Sequence, residues 1–322
     1  MAILLVTPTK PDSDNGNGVT ARRWAGFLRA LGQDVHVADT YRRNGPYRAL
    51  IALHAGKSAA AVRAFRADHP TAPIVIALTG TDLYPDLSST GVDPAVLDLA
   101  ARFIVLQPLA LDQLPRRWRE RARVVIQSLP PIPPLPPLED RFEVAFLVHV
   151  RPVKDPAVLP AALRLLPPAS RIRVTHVGAA RDGELAAHLT AEAAGNPRYE
   201  WLGPLPRADA LQVLARSRVM VLTSRNEGGA NVISEALAAG VPVIASEIPG
   251  TVGLLGVDYP GYFPVGDAQA LAGRLSAAEQ DPGYYRALAE HCGARRPLVD
   301  PQQEASALAS LLADVGVHAF RE

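Results

Sequence analysis

Short apolar runs alternate along the whole chain with stretches whose apolar residues recur every three or four positions. In the first half, the runs over 3–6, 35–38, 49–53, 74–78, 103–106 and 124–126 predict strands. Between them, 19–31 places Trp24, Phe27, Leu28 and Leu31 on one helical face, and 57–67 predicts a second helix. The second half repeats the scheme, with strands over 144–150, 173–177, 199–202, 219–223, 242–245 and 262–265. Helices are predicted there over 157–166, 185–194, 207–217, 230–239 and 268–277, and a further amphipathic helix over 302–313. Such alternation specifies parallel α/β sheets covered by helices on both faces.

The two halves are separated by Leu129-Pro-Pro-Ile-Pro-Pro-Leu-Pro-Pro-Leu138, six prolines in ten residues. This density excludes helix and central strand and favours polyproline II. Pro-rich segments also serve as SH3-type ligands, but the position midway between two α/β patterns marks a semi-rigid linker. The expected division is an N-terminal domain over 1–128, the linker over 129–139, a C-terminal domain over 140–300 and a terminal helix over 301–322. A chain of 322 residues has room for about two domains of roughly 150 residues.

Composition removes several function classes. A net charge of +1 points to neither a nucleic-acid surface nor an acidic partner. The single cysteine, Cys292, excludes an internal disulfide framework and a cysteine-based zinc site, and reads as a reduced structural thiol. The apolar start, 2–6, is too short for a secretory segment. No apolar run approaches the roughly 20 residues of a membrane helix. The expectation is a soluble, cytoplasmic protein.

In open α/β sheets, ligands bind beyond the carboxyl ends of the strands. Here those ends are polar: Thr7, His54, Thr79-Gly-Thr-Asp82, Gln107 and Ser128 in the first half, and His149 to Lys154, Gly178 and Ser224 to Gly229 in the second. Two such rims facing each other would make a cleft. After the strand over 219–223, Ser224-Arg-Asn-Glu-Gly-Gly-Ala-Asn-Val-Ile-Ser-Glu235 turns into a helix. Gly228 and Gly229 let backbone N–H groups approach an anion at the helix start. Glu227 and Glu235, with seven residues between them, can each accept hydrogen bonds from neighbouring sugar hydroxyls. Arg151 and Lys154 follow the first strand of the second half, where they can neutralise a leaving diphosphate.

Other features carry rival readings. Gly16-x-Gly18-x-x-Ala21, with Asp39 ending the next strand, matches a dinucleotide fingerprint. About nine residues separate these glycines from the first strand, too many for that tight turn. The loop is better read as a glycine loop whose amides face an acceptor or donor phosphates. Asp12-x-Asp14 has the form of a metal-binding pair but reads as solvated turn carboxylates, and no metal is assigned. His54 is either a base, a hydrogen-bond donor to a sugar, or structural.

The Glu-x7-Glu spacing, with Arg151 and Lys154 ahead of it, resembles the family-4 type of retaining glycosyltransferases. That resemblance implies the GT-B architecture, an α/β class of two Rossmann-like domains facing across a cleft. It implies that Glu227 faces the donor sugar and that Glu235 holds the nucleotide ribose. Ser224, Gly228, Gly229, Ala230 and Asn231 would complete the donor site around the diphosphate. His54 joins Arg151, Lys154 and Glu227 as a candidate catalytic group.

Asn15-Gly-Asn-Gly-Val-Thr-Ala-Arg-Arg-Trp24, Ala52-Leu-His-Ala55, Ala77-Leu-Thr-Gly-Thr-Asp-Leu-Tyr84, Val105-Leu-Gln107 and His149-Val-Arg-Pro-Val-Lys-Asp-Pro156 together resemble the selenosugar synthases of selenoneine biosynthesis. This second resemblance implies that selenophosphate attacks the anomeric carbon of UDP-glucose or UDP-N-acetylglucosamine. No tightly bound cofactor is implied. The partners would be these small molecules, with room for enzymes of the same pathway. Asn15, Gly16, Gly18, Thr20, Arg22, Thr81 and Asp82 would form an oxyanion pocket for the acceptor, Asp82 either orienting it or touching the sugar. Transfer to a hydroxyl acceptor and non-catalytic nucleotide-sugar binding remain alternatives. The glutamate motif favours retention, while an anionic nucleophile also permits inversion.

Overall fold

The computed structural model describes residues 1–10, 13, 16–43 and 45–318. The chain forms two compact units. Met1–Gln127, the turn Glu227–Gly229 and Pro301–Glu322 make the first; Ser128–Asn226 and Ala230–Asp300 make the second.

In the first unit, strands β1 (Ala2–Val6), β2 (Val35–Ala38), β3 (Tyr47–Leu53), β4 (Ile74–Leu78), β5 (Arg102–Val105) and β6 (Ala122–Val124) form one sheet. Its order is β2-β1-β3-β4-β5-β6, and every pairing is parallel. Helices α1 (Gly16–Ala30), α2 (Ala59–Asp68), α3 (Pro94–Asp98) and α4 (Arg116–Arg119) make the connections. Both faces of the sheet are dry. Leu4, Val6, Leu50 and Ile76 pack on one side with Val62, Phe65 and Trp118. Ile3, Leu5, Ile51 and Val75 pack on the other with Trp24 and Leu28. That double burial explains why these strands carry continuous apolar runs without alternation.

In the second unit, β7 (Phe142–Leu147), β8 (Ile172–Val177), β9 (Tyr199–Trp201), β10 (Val219–Leu222), β11 (Val243–Ser246) and β12 (Tyr262–Phe263) are ordered β12-β11-β10-β7-β8-β9, again all parallel. Helices α5 (Val158–Arg164), α6 (Gly183–Gly195), α7 (Arg207–Arg216), α8 (Asn231–Ala239), α9 (Pro249–Leu255), α10 (Ala268–Gln280) and α11 (Pro282–Arg295) cover it. The winding reverses between β7 and β10, which are neighbours. The segments following these two strands therefore share the switch point, where such sheets take ligands.

All twelve expected strands are present, with shifted ends. The strand expected over 144–150 begins at Phe142 and ends at Leu147; Val150 resumes parallel pairing only through an isolated bridge to Ala180. Beyond α3 and α4 of the first unit, helices α9 and α11 were not expected. The second starts on clear signals, the Asp281 carboxylate accepting from the Gly283 and Tyr284 amides and Pro282 in the first turn. It buries only Leu288 and Cys292, too few to make a periodic stripe.

The proline-rich segment is fastened to the second unit with a repeat of three. Leu129, Ile132 and Leu135 donate their N–H groups to the carbonyls of Val299, Ala238 and Ala215 at 3.1, 3.2 and 3.2 Å. The six prolines of the segment, four between these donors and two after Leu135, have no N–H and are exposed. Three residues per turn is the polyproline II period, so all three donors fall on one face.

The last helix, α12 (Pro301–Asp314), belongs to the first unit and packs on α1. Its Glu304 carboxylate is buried, accepting from Trp24 Nε1 at 2.6 Å and from Arg23 Nε at 2.8 Å.

Candidate functional site

Beyond β7 the chain passes His149 and Val150 and enters the 3₁₀ turn Pro152–Lys154, closed by an N–H bond from Lys154 to the Arg151 carbonyl at 3.0 Å. Asp155 ends the turn in the left-handed region, at φ 45°. Arg151 is exposed and Lys154 half-buried, so both cations stand at the rim.

The segment after β10 braces this turn. Thr223, fully buried, donates its hydroxyl to the Lys154 carbonyl at 2.7 Å. The Arg225 amide donates to the Val153 carbonyl at 2.9 Å, and the Arg225 guanidinium pairs with the Asp155 carboxylate at 2.8 Å. Ser224 is buried, its carbonyl accepting from the Ser246 hydroxyl at 2.5 Å. Its place among the donor-binding candidates is thus inside the brace. One main-chain turn and one strand exit are locked together by three bonds at the switch point.

Ala230 caps α8 with extended backbone, and its methyl group offers no oxygen to the first amides. In the same unit Asp182, Asp267 and Asp281 do cap their helices with carboxylate oxygens. The α8 start thus keeps donors of positive partial charge for an anion. Asn231 opens the helix with a buried amide oxygen that makes no hydrogen bond among the described residues. Glu235 lies a little over one turn further along α8 and pairs with Arg207 on α7, Nη2 to Oε1 at 2.8 Å. Arg207 was not expected at the site, because only the docking of α7 on α8 brings it there.

The turn Glu227–Gly229 is counted with the first unit. There a Cβ at Gly228 would overlap the Thr79 carbonyl oxygen, and one at Gly229 would overlap the Leu106 side chain. Glycine is thus required at both positions for close packing, a reason separate from access to an anion. Glu227 itself is half-buried.

At the strand ends of the first unit, His54 follows β3 with φ 66°, an uncommon conformation for a non-glycine residue. Its Nδ1 accepts from the Lys57 amide at 3.3 Å, which leaves the hydrogen on Nε2, 3.0 Å from the Thr81 hydroxyl oxygen. Burial lowers the His54 pKa against the opposing pull of the Asp82 charge, and so favours this neutral ring. The hydroxyl of Thr81, which is exposed, can accept from His54 and point its own hydrogen outward.

Asp82 has no exposed surface. Its carboxylate accepts from the amides of Thr79 at 2.8 Å, Gly80 at 2.9 Å and Ala55 at 2.8 Å. These three bonds are the ones that orienting the loop requires, while contact with a sugar is left to the variant tested below. Gln107 likewise faces inward, capping the 3₁₀ helix Pro108–Gln113 through Leu109 and donating to the Tyr84 hydroxyl.

The acceptor set divides. Gly16 and Gly18 lie in the first turn of α1, and a Cβ at Gly18 would overlap the Ser13 carbonyl. The missing side chain therefore accommodates the protein's own loop. Thr20 donates to the Gly16 carbonyl at 2.7 Å and accepts from Gln127 at 2.5 Å, with 1% of its surface exposed, so its hydroxyl faces no ligand. Arg22 donates to the Ser13 carbonyl at 2.9 Å. Asn15, Asp12 and Asp14 lie outside the described residues. Among the described residues no three His, Cys, Asp or Glu side chains gather as a metal site, and no helix is long and apolar enough to cross a membrane.

Solved structures of the same architecture match almost end to end. HepE of Anabaena, in complex with UDP and glucose, is 18% identical at a TM-score of 0.76, covering 97% of this chain and 99% of its own. Sucrose-phosphate synthase of Thermosynechococcus elongatus is 18% identical at 0.78, covering 98% of each chain. Trehalose-6-phosphate synthase is 13% identical at 0.75, covering 98% of this chain and 99% of its own. These likenesses show the GT-B fold. Comparison with curated proteins by sequence gives no match. The family of glycosyl transferases group 1 matches residues 133–295, half of the chain, and the chain belongs to that family.

Proposed function

We propose that this glycosyltransferase moves a hexose, glucose or N-acetylglucosamine, from a UDP-sugar to selenophosphate. The observation that carries the donor half is the braced turn of Arg151 and Lys154 beside an α8 start without a side-chain cap. Cations and aligned amides at a switch point suit a diphosphate leaving group. The UDP and glucose held by HepE, a structure of the same fold, support the choice of nucleotide. Glu235 would take the ribose hydroxyls and Glu227 the sugar.

The acceptor half rests on the first-half motifs and on His54. With Nδ1 accepting from Lys57 and Nε2 donating to Thr81, the ring offers no lone pair as a general base. Asp82 has no exposed surface and already accepts from three amides. An acceptor that arrives ionised suits this rim. A selenium lone pair would attack the anomeric carbon as its bond to the diphosphate oxygen breaks. UDP leaves with that electron pair, and water then cleaves the P–Se bond to give phosphate and a 1-selenosugar. Thr81 and the Gly16 end of α1 would meet the anion.

The test is to incubate pure protein with each UDP-sugar and either selenophosphate or simple alcohols, and to read products by mass spectrometry. A selenosugar with stoichiometric UDP is expected. Transfer only to alcohols would replace the acceptor assignment, and binding without turnover would remove the catalytic one.

A further inference from the structure

Arg207 is the first residue of α7, where the helix dipole opposes a cation. Its guanidinium reaches the neighbouring helix and pairs with Glu235, whose side chain is only 9% exposed. A carboxylate so buried needs a partner to remain ionised. The fork of a guanidinium can hold one carboxylate oxygen in a set plane, which an ammonium cannot. Arg207 enters from the segment after β9, at the carboxyl edge of the sheet where α8 also starts, so the pair lies on the ligand side.

We propose that Arg207 is a positioning residue for the nucleotide, fixing the Glu235 carboxylate in the orientation that accepts the ribose 2′- and 3′-hydroxyls. This rests on the reading of Glu235 as the ribose-holding group. The pair confers selectivity for a ribonucleotide: a diol can satisfy a correctly turned carboxylate, whereas a deoxyribose leaves one of its acceptor positions without a donor.

The experiment is calorimetric titration of UDP and of 2′-deoxy-UDP into the wild type, Glu235→Gln, Arg207→Ala and Arg207→Lys. The wild type should prefer UDP by about tenfold to a hundredfold, the range for a hydrogen bond to a charged group. In Arg207→Ala the preference should shrink to about threefold or less, through weaker UDP binding and nearly unchanged deoxy binding. Arg207→Lys should restore part of it. Both ligands meet the same folded fraction, so a loss of stability cancels in their ratio, and the Lys variant serves if the Ala variant fails to fold. If Glu235→Gln keeps the full preference, the ribose reading itself falls. If Glu235→Gln loses the preference while both Arg207 variants keep it, the positioning role is wrong and the ribose reading stands. Equal weakening of both ligands in the Arg207 variants would make the pair merely structural and also overturn the proposal.

Discussion

The Thr223 hydroxyl donates to the Lys154 carbonyl at 2.7 Å, tying together two segments 69 residues apart in sequence. It joins the exit of β10 to the turn carrying both candidate cations, and Arg225 repeats the join through its main-chain amide and its guanidinium.

Thr223→Val keeps the shape of the side chain and deletes the donor. The expected loss of stability is about 1 kcal/mol, with the Lys154 carbonyl left without this partner. Turnover should fall more than UDP affinity, because a loosened turn misplaces charge that matters most as the diphosphate departs. Urea melts, calorimetry and steady-state kinetics on one preparation check this. An unchanged kcat beside a weakened Kd would show that the brace serves binding alone.

Asp82→Asn separates the two roles left open for that residue. An amide has one oxygen for the three N–H groups that Asp82 now receives, and its NH₂ must then face another donor. About 2 kcal/mol of stability should disappear, with little change in UDP-sugar affinity. Stability held at the wild-type value, with weaker UDP-sugar binding, would return Asp82 to the sugar.

The alternation of strand and helix was legible because parallel strands covered on both faces must be continuously apolar, as Ile3, Leu4 and Leu5 are. Polar residues at the strand ends, among them His54, Thr81, Arg151 and Lys154, stood out for the same reason. Direction was harder to read than position. Thr20 looked available on a helix start, yet its partner is Gln127, 107 residues away. Gly18 looked open to a ligand, yet Ser13 of its own loop fills the space. Arg207 carried no signal, since the chain must cross from β9 to β10 before α7 lies on α8. Glu304 reads as a polar position on an amphipathic helix, and only the packing of α12 on α1 shows that it is buried between Arg23 and Trp24. Local pattern thus determines which face is buried, while pairing between distant helices determines what a buried polar group meets.

His176 sets an acid limit on the second unit. Its ring is fully buried, donating from Nε2 to the Val148 carbonyl at 2.8 Å and accepting at Nδ1 from the Tyr199 hydroxyl at 2.6 Å. Burial lowers its pKa from the usual 6.5 to about 4; the Val148 bond opposes this, and nearby His149 adds to it slightly. In the unfolded chain the ring takes up its proton near 6.5, so between 6.5 and 4 the unfolded state binds more protons. The contribution is therefore complete above pH 6.5, shrinks as the pH falls, and is gone once the folded ring is protonated near 4. The difference corresponds to roughly 3 kcal/mol. Glu143, whose pKa burial raises, acts in the opposite sense, so the comparison must cancel it. His176→Phe keeps an aromatic ring and removes the titration. It should be less stable than the wild type at pH 7.5, with two hydrogen bonds lost, and should close most of that gap by pH 4.5. Urea melts of both proteins across this range give the difference directly. Parallel stability curves would mean that His176 does not set the acid limit.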